Sequence, residues 1–518
     1  MLTLPVTEVL AALSLTTDLA SGLPFEKGLQ TCLLATGFAA ELGLSEGDRR
    51  VVFQTALLRS VGCTAHAPEN ARLFTDDVAF QAALKRLDPG DPQVFRAQLG
   101  RFGDWGGSRQ PALARRFVEV AAVEGPAAAR AGCEVSRALG ALLGLEPGAV
   151  AALDEVYERW DGLGIPAGLA GDGLSMTARI VQVAEQAVLA RTGDAQAPGS
   201  VSTVVEEVRR RAGGHLDPQL AHRFVATADQ LLAVLAGPDL LSAVFEAEPG
   251  PRAQVPFGDL HRLALALAVV ADLKGRYLIG HSTQVAALAA AGAAEAGLPD
   301  EQVALVRAAA LVHDVGRVAV SSEVWDRPGP LGAGDQERVR LHCYWTDRVL
   351  QRCPGLQPLA VVASSHHERS DGSGYHRGVR AANLPMTARL IAAADVFSAL
   401  TEPRPYREAM TTRQAAAVVA DEVRAGRLDA EAGQAVLAGA GMSRAGRVRV
   451  GNPCDLTDRE VQVLQLAARG WTNRRIAEQL KISDRTVGHH LAHVFDKTGR
   501  RTRAGVAVFA VEHGLLPG

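Results

Sequence analysis

Seven residues in the second half of the chain are of the kinds that hold metal ions: His281, the pair His313-Asp314, His342, the pair His366-His367, and Asp395. Imidazole together with carboxylate suits divalent manganese, iron, zinc or magnesium, and one carboxylate can span two ions. Seven donors exceed what a single ion takes. The set therefore predicts a two-metal site, with ions roughly 3.5–4 Å apart and a hydroxide between them. Such a site supplies a nucleophile at neutral pH and stabilises a phosphoryl group during in-line attack. A lone histidine on an Ala-rich helix is ordinarily just a groove residue. Here the surroundings change that reading, because His313-Asp314 lies inside the apolar run 308–320 and Asp395 inside Ala392-Ala393-Ala394-Asp395-Val396-Phe397. An unpaired carboxylate buried in such a run is costly and calls for a partner such as a metal.

The elements that must carry these residues are helices. Ala, Leu, Val and Arg recur at helical spacing, while the period-2 alternation of Val, Ile and Tyr expected of strands is scarce, so the expected class is all-α. Breakers fall at 88–92, 193–200, 248–256 and 439–455. The chain also repeats itself. Shifted by 254 residues, 34–62 overlays 288–316, including Glu41/Glu295 and Val61-Gly62/Val315-Gly316; shifted by 210, 158–180 overlays 368–390, including Asp161-Gly162/Asp371-Gly372 and the Met-Thr-Ala-Arg runs at 176 and 386. The change of offset places an insertion in the first copy within 64–131. Carried across, His281 falls on Lys27, His313 on Arg59, Asp314 on Ser60, His342 on Gly132, His366 on Val156, His367 on Tyr157 and Asp395 on Glu185. Only Glu185 could ligate, so the first copy is expected to be degenerate and without metal chemistry.

Length and charge add bounds. At 518 residues the chain is too long for one core, and roughly three domains are expected. Residues 444–518 carry 13 Lys/Arg against 7 Asp/Glu, net +6, leaving 41 against 50, net −9, for the rest. A basic tail on an acidic body is a footprint for a polyanion. The six cysteines form no CxxC pair, which fits a reducing compartment. The apolar stretch at 263–271 falls short of the ~20 residues that cross a bilayer. A cytoplasmic protein without membrane contact is expected. The division expected is 1–245, a degenerate helical domain; 257–440, the metal-bearing domain; 441–454, a linker; and 455–518, a nucleic-acid reader.

In that last segment Thr457 and Glu460 are spaced as a capping box, Gly470 ends the first helix, and Ser483 is placed to cap a helix running through Lys497. The order is helix, turn, helix, with small Ala477 at the crossing.

Two families are resembled. Gly280-His281-Ser282, Ala309-Ala310-Leu311-Val312-His313-Asp314-Val315-Gly316, Arg327-Pro328-Gly329-Pro330-Leu331, His342, His366-His367-Glu368-Arg369-Ser370-Asp371-Gly372-Ser373-Gly374-Tyr375 and Ala394-Asp395-Val396-Phe397, leading to Arg404-Pro405-Tyr406-Arg407, occur in the order seen in the HD phosphohydrolases of the HD-GYP group. The resemblance spans 260–440. It implies an all-helical fold, with His281, His313, Asp314 and Asp395 on one ion and His342, His366 and His367 on a second, bridged by Asp314. It also implies hydrolysis of a phosphodiester, cyclic di-GMP being the family's best-known substrate. Two positions depart: Gly-Tyr-Pro reads Gly374-Tyr375-His376, and the family's lysine after the His-Asp pair is Arg317. That side chain is implied to meet substrate phosphate, which Arg does with a fork rather than a point charge. Asp314 and Arg317 are thus the catalytic candidates.

Residues 456–516 resemble the LuxR/GerE family. The resemblance places Gly488, His489 and Ala492 at base-contacting positions and Asn473, Arg485, Thr486 and Lys497 at DNA contacts. It also implies a homodimer paired through the last helix. The expected partners are therefore DNA, a nucleotide or cyclic dinucleotide, and a second copy of the chain. Two functions remain open on the sequence: a sensor-regulator that hydrolyses its ligand and binds promoters, or a transcription factor whose metal domain only binds a ligand.

Overall fold

The computed structural model describes residues 3–192, 199–442 and 452–516; most of the expected linker lies outside them. Described strand is confined to two three-residue segments, Thr3–Pro5 and Gln254–Pro256, which form one two-stranded sheet. The rest is helix and turn, the all-α class the spacing predicted. Contacts divide the chain into two compact units, residues 5–254, and residues 255–518 with 1–4. Among the described residues no helix is long and apolar enough to cross a membrane.

The two units are built alike, and the likeness reaches single hydrogen bonds. In the first, the Asp18 carboxylate accepts from Gly28 N at the start of helix Lys27–Glu41 (2.9 Å). In the second, Asp272 accepts from Ser282 N at the start of His281–Glu295 (3.2 Å). Glu158 accepts from Ala167 N and Leu169 N; Glu368 accepts from Arg377 N and Val379 N. A Cβ on Gly62 would lie 2.2 Å from the Gly132 carbonyl oxygen, and one on Gly316 would lie 2.0 Å from the His342 carbonyl oxygen. These pairs are separated by the same 254 and 210 residues that the sequence repeat shows. Residues 5–254 thus repeat the helical framework of the metal-bearing part of the second unit.

The insertion of the first unit folds as three short helices, Ala67–Phe74, Asp77–Leu84 and Pro92–Arg101. Asp76 and Asp91 cap the latter two by accepting from backbone N–H groups in the first turn. The insertion has its own apolar nucleus, Phe74, Phe80 and Phe102, with the Phe74 and Phe80 rings stacked 4.2 Å apart.

The C-terminal four helices are Asp458–Ala468, Asn473–Leu480, Asp484–Thr498 and Arg503–Glu512. Thr457 and Glu460 form the expected capping box and Ser483 caps the third helix. Val463, Ala467, Ile476, Ala477, Val487 and Leu491 close the core. Lys481 takes the left-handed conformation (φ 53°) that turns the second helix into the third.

Candidate metal centre and DNA-reading face

The seven ligand-type residues meet in one place in the second unit. Gly280, at φ 85°, turns the chain so that His281 opens its helix. His313 and Asp314 follow helix Asp300–Leu311 and precede the short turn Val315–Ala319. Gly316 lets that turn press on helix Ala333–Arg352, which carries His342. Thr346 ties the contact, donating to the His313 carbonyl (2.9 Å) and accepting from Gly316 N (3.0 Å). His366 and His367 follow helix Gln357–Ser364, and Asp395 sits inside Met386–Thr401.

Asp314 is the hub and is 1% exposed. Its Oδ2 lies 3.0 Å from His313 Nε2 and 3.6 Å from His281 Nε2. Its Oδ1 lies 3.4 Å from both His342 Nε2 and His366 Nε2. Asp395 is 3.2 Å from His281 Nε2, and its other oxygen is 3.9 Å from His367 Nδ1. The donor atoms of His281, His313 and Asp395 lie within 4.8 Å of one another, as do those of His313, Asp314 and His366.

The outer nitrogens explain why the inner ones are bare. His313 Nδ1 faces the Ala310 carbonyl, His342 Nδ1 the Val339 carbonyl and His366 Nδ1 the Ala363 carbonyl. A carbonyl accepts only, so each Nδ1 carries the proton and each Nε2 presents a lone pair inward. His342 Nε2 and His366 Nε2 are 3.0 Å apart, two lone pairs facing each other. His281 Nε2, His313 Nε2 and both Asp314 oxygens are buried without a hydrogen bond of acceptable geometry. Apart from the Arg317 guanidinium beside Asp314, nothing in this crowded set balances its lone pairs, and that is costly in a dry interior unless further cations satisfy them. The donor set fits divalent metal.

The electrostatics agree. Burial, with repulsion from His366 and Arg317, pushes His342 down to about 3 despite Asp314, and burial likewise lowers His366 and His367. Burial would raise Asp314, but Arg317 and His313 hold its carboxyl well below the usual carboxylate range. His281 differs: the Glu402 and Asp395 carboxylates outweigh burial and raise it to about 9.

Glu402 was not foreseen. Its carboxylate oxygens lie 3.1 and 3.0 Å from His281 Nδ1. Ser398 Oγ (2.8 Å) and Arg404 Nη2 (2.9 Å) donate to it in turn. A carboxylate on the far nitrogen of a ligating histidine fixes its orientation and raises its basicity. Cys343 was also missed; its Sγ is 3.5 Å from His342 Nε2, and burial holds the thiol well above its usual range.

Arg317 is buried, with Nε 2.8 Å from Asp314 Oδ2 and its guanidinium 4.9 Å from the Trp325 ring. It stands beside the metal-type donors, already facing the anion at the centre. The Tyr375 ring stacks on His367 at 4.7 Å. His376, in the position the family gives to proline, has φ 93°. Proline is locked near −65°, so the loop here takes a path that proline could not.

In the first unit Lys27 Nζ lies 2.5 Å from Glu185 Oε1 and Arg59 pairs with Oε2. The one mapped residue able to ligate is therefore already neutralised. Burial would raise Glu185, but Arg59, Lys27 and Lys85 hold it well below the usual range. Lys85, from the insertion, donates to Ser60 Oγ (2.7 Å), at the place Asp314 takes in the second copy. Among the described residues the groups able to hold a metal all lie in the second copy.

On the C-terminal domain Arg485, His489 and Ala492 are exposed along one face of helix Asp484–Thr498, while Thr486 and Gly488 are half-buried. Two candidates have internal partners. Lys497 Nζ donates to Glu460 (2.8 Å) and to the Asp455 carbonyl (3.0 Å). Asn473 Oδ1 accepts from Arg503 (2.7 Å). A small cavity is lined by Arg276, Gly280 and Glu402 together with Arg469, Trp471 and Leu516.

Residues 266–432 match the HD domain family, and residues 455–510 match the bacterial regulatory proteins of the luxR family. The chain thus joins an HD domain, which together with its phosphodiesterase relatives supports metal-dependent phosphohydrolase activity, to a C-terminal LuxR-type domain. More particularly, it is homologous to bacterial cyclic-dinucleotide phosphodiesterases. It is 28% identical over 436 residues to 3'3'-cGAMP-specific phosphodiesterase 3 of Vibrio cholerae, covering 81% of this chain and 92% of that one. It is 38% identical over 121 residues to the cyclic di-GMP phosphodiesterase response regulator RpfG of Xanthomonas campestris, covering 23% of this chain and 32% of that one. Among solved structures, a cyclic GMP-AMP specific phosphodiesterase of V. cholerae (V-cGAP3) shares the fold, with TM-score 0.58 at 22% identity over 85% of this chain and 98% of that one.

Proposed function

We propose that the second copy is a dinuclear phosphodiesterase acting on a cyclic dinucleotide, and that the C-terminal domain binds DNA as its output. The observation that carries this reading is the convergence of the Nε2 atoms of His281, His313, His342 and His366 on the two buried carboxylate oxygens of Asp314. His281, His313, Asp314 and Asp395 would hold one ion; Asp314, His342, His366 and His367 would hold the other. Manganese, iron and magnesium are the candidate ions for this mixed imidazole and carboxylate set. When bound, the pair supplies a hydroxide nucleophile and neutralises the phosphoryl oxygens.

The chain's own residues do the remaining work. Asp314 holds both halves of the site in register through its two oxygens. The backbone carbonyls on Nδ1 keep the histidines in the tautomer that presents Nε2. The Arg317 guanidinium, beside Asp314, would supply the fork that holds a substrate phosphate oxygen. Tyr375, stacked beside His367, offers a face for a base.

Relatives' names supply the substrate class: 3'3'-cGAMP for one and cyclic di-GMP for another. Manganese-loaded protein should linearise 3'3'-cGAMP, cyclic di-GMP or both, and His313→Ala should not. Failure of every cyclic dinucleotide in such a panel, with metal bound, would favour the second reading, a ligand sensor without turnover. The observation that favours that second reading is the altered loop at His376.

The DNA role rests on the exposed Arg485–His489–Ala492 face and the basic tail. The cavity shared by Glu402, Gly280 and Arg469 supports coupling, since Glu402 is also the residue that holds His281. A typical coupling of about 1–3 kcal/mol gives roughly 5–150-fold in affinity. Saturating non-hydrolysable ligand should shift DNA affinity within that range in the wild type and not in His313→Ala.

A further inference from the structure

The degenerate copy places side-chain cations where the second copy has metal-type donors, and a cavity of about 370 Å³ opens beside one of them, Lys85. Lys27 and Arg59 occupy two ligand positions, and Lys85 is brought in by the insertion; all three surround the single carboxylate of Glu185. Asp18 is the other nearby acid, and burial raises it to about 7 despite Lys27, which blunts its charge near neutrality. Three cations thus face little more than one negative charge.

Lys85 reaches the cavity, and Arg86, Arg101 and Arg211 join it on the walls. The one acidic side chain there is Glu207, already engaged by Arg210 and Arg211 at 2.6 Å each. Arg101 is exposed and has no ion pair among the described residues. Gln186 is 3% exposed, lines the cavity, and its amide makes no hydrogen bond among the described residues. Leu87, Phe102 and Leu189 supply an apolar wall. The insertion contributes one side, and helices Met176–Arg191 and Val201–Arg211 contribute the other.

Pockets of this size are at the low end for small-molecule sites, which pair an apolar lining with a few fixed polar groups. Here the fixed charged groups are four cations, Lys85, Arg86, Arg101 and Arg211, against the Glu207 carboxylate, with the Gln98 and Gln186 amides beside them. We propose that this cavity is a receptor for a phosphate-bearing anion of mononucleotide size, held without hydrolysis. The cations take the phosphate, the Gln186 amide and the apolar wall take the rest, and among the described residues no donor set for a metal stands beside it to activate water.

The test is calorimetric titration of full-length, metal-stripped protein with GMP, AMP and inorganic phosphate at low salt. At least one mononucleotide should bind at one per chain, more tightly than inorganic phosphate. Arg101→Glu, a surface charge reversal with little to disturb in the fold, should weaken that binding at least ten-fold, and Lys85→Gln should do so as well. Absence of binding by all three probes would overturn the proposal. So would binding that Arg101→Glu leaves unchanged, since the nucleotide would then sit elsewhere. Phosphate binding as tight as either nucleotide would overturn the assigned ligand size.

Discussion

Glu402→Gln isolates the residue that aims His281. In the folded protein the carboxylate takes His281 Nδ1 at 3.0–3.1 Å and is itself held by Ser398 and Arg404. The amide keeps the volume and loses the charge, so the imidazole becomes less basic and less firmly oriented. Removing an outer partner of a ligating histidine lowers metal affinity by about 10–100-fold, or about 1.4–2.7 kcal/mol. Gln can still accept one hydrogen bond, so the effect belongs at the lower end, and Glu402→Ala at the upper. The two halves of the site should respond unequally. Glu402 touches the His281 side, while the outer nitrogens of His342 and His366 rest on backbone carbonyls that the substitution leaves alone. Manganese titration against a competing chelator should show one affinity class weakened and the other within about two-fold of wild type. Equal weakening of both classes, or no change in either, would refute the reasoning that Glu402 acts through His281.

Gly316→Ala should destabilise the second unit by about 3 kcal/mol or more, because its Cβ would meet the His342 carbonyl oxygen at 2.0 Å; thermal unfolding reads this out, and a neutral result would mean the turn relaxes freely. Glu460 sits at about 2, its bonds to Lys497 and Thr457 outweighing burial. A lowered acid stabilises the fold above its unfolded value near 4.3 and loses that contribution as pH falls through 2. Glu460→Gln should therefore lower the Tm of the C-terminal domain at pH 7, with the difference from wild type shrinking towards pH 2. Arg485→Ala should weaken DNA binding across sequences alike and reduce the salt slope by about one phosphate contact, roughly 0.9 in log–log units; a salt-insensitive wild type would rule out the DNA reading.

The sequence made the donor set legible because histidine and aspartate are out of place in apolar helices. Position in the chain carried that signal, so all seven residues could be named without coordinates. Glu402 could not, since nothing in spacing links it to a histidine 121 residues earlier. The duplication was readable from repeated turns, where glycine is required by close backbone contact, as at Gly62 and Gly316. The consequence of the insertion was not, because Lys85 has no counterpart in the second copy and reaches Ser60 only through tertiary packing. The DNA-reading face shows the same limit. Matching to a family located Lys497 and Asn473, while the structure gives both side chains partners within the domain. A sequence position fixes where a side chain starts and leaves its hydrogen-bond partner to the fold.

The central claim is that Asp314 joins two ions into one hydrolytic centre. Metal per chain by emission spectroscopy, measured alongside cyclic-dinucleotide turnover in wild type and Asp314→Ala, tests it most directly. The account predicts two divalent ions per wild-type chain, with loss of most metal and of turnover in the variant. Equal metal content in the two proteins, or turnover that survives the substitution, would contradict it.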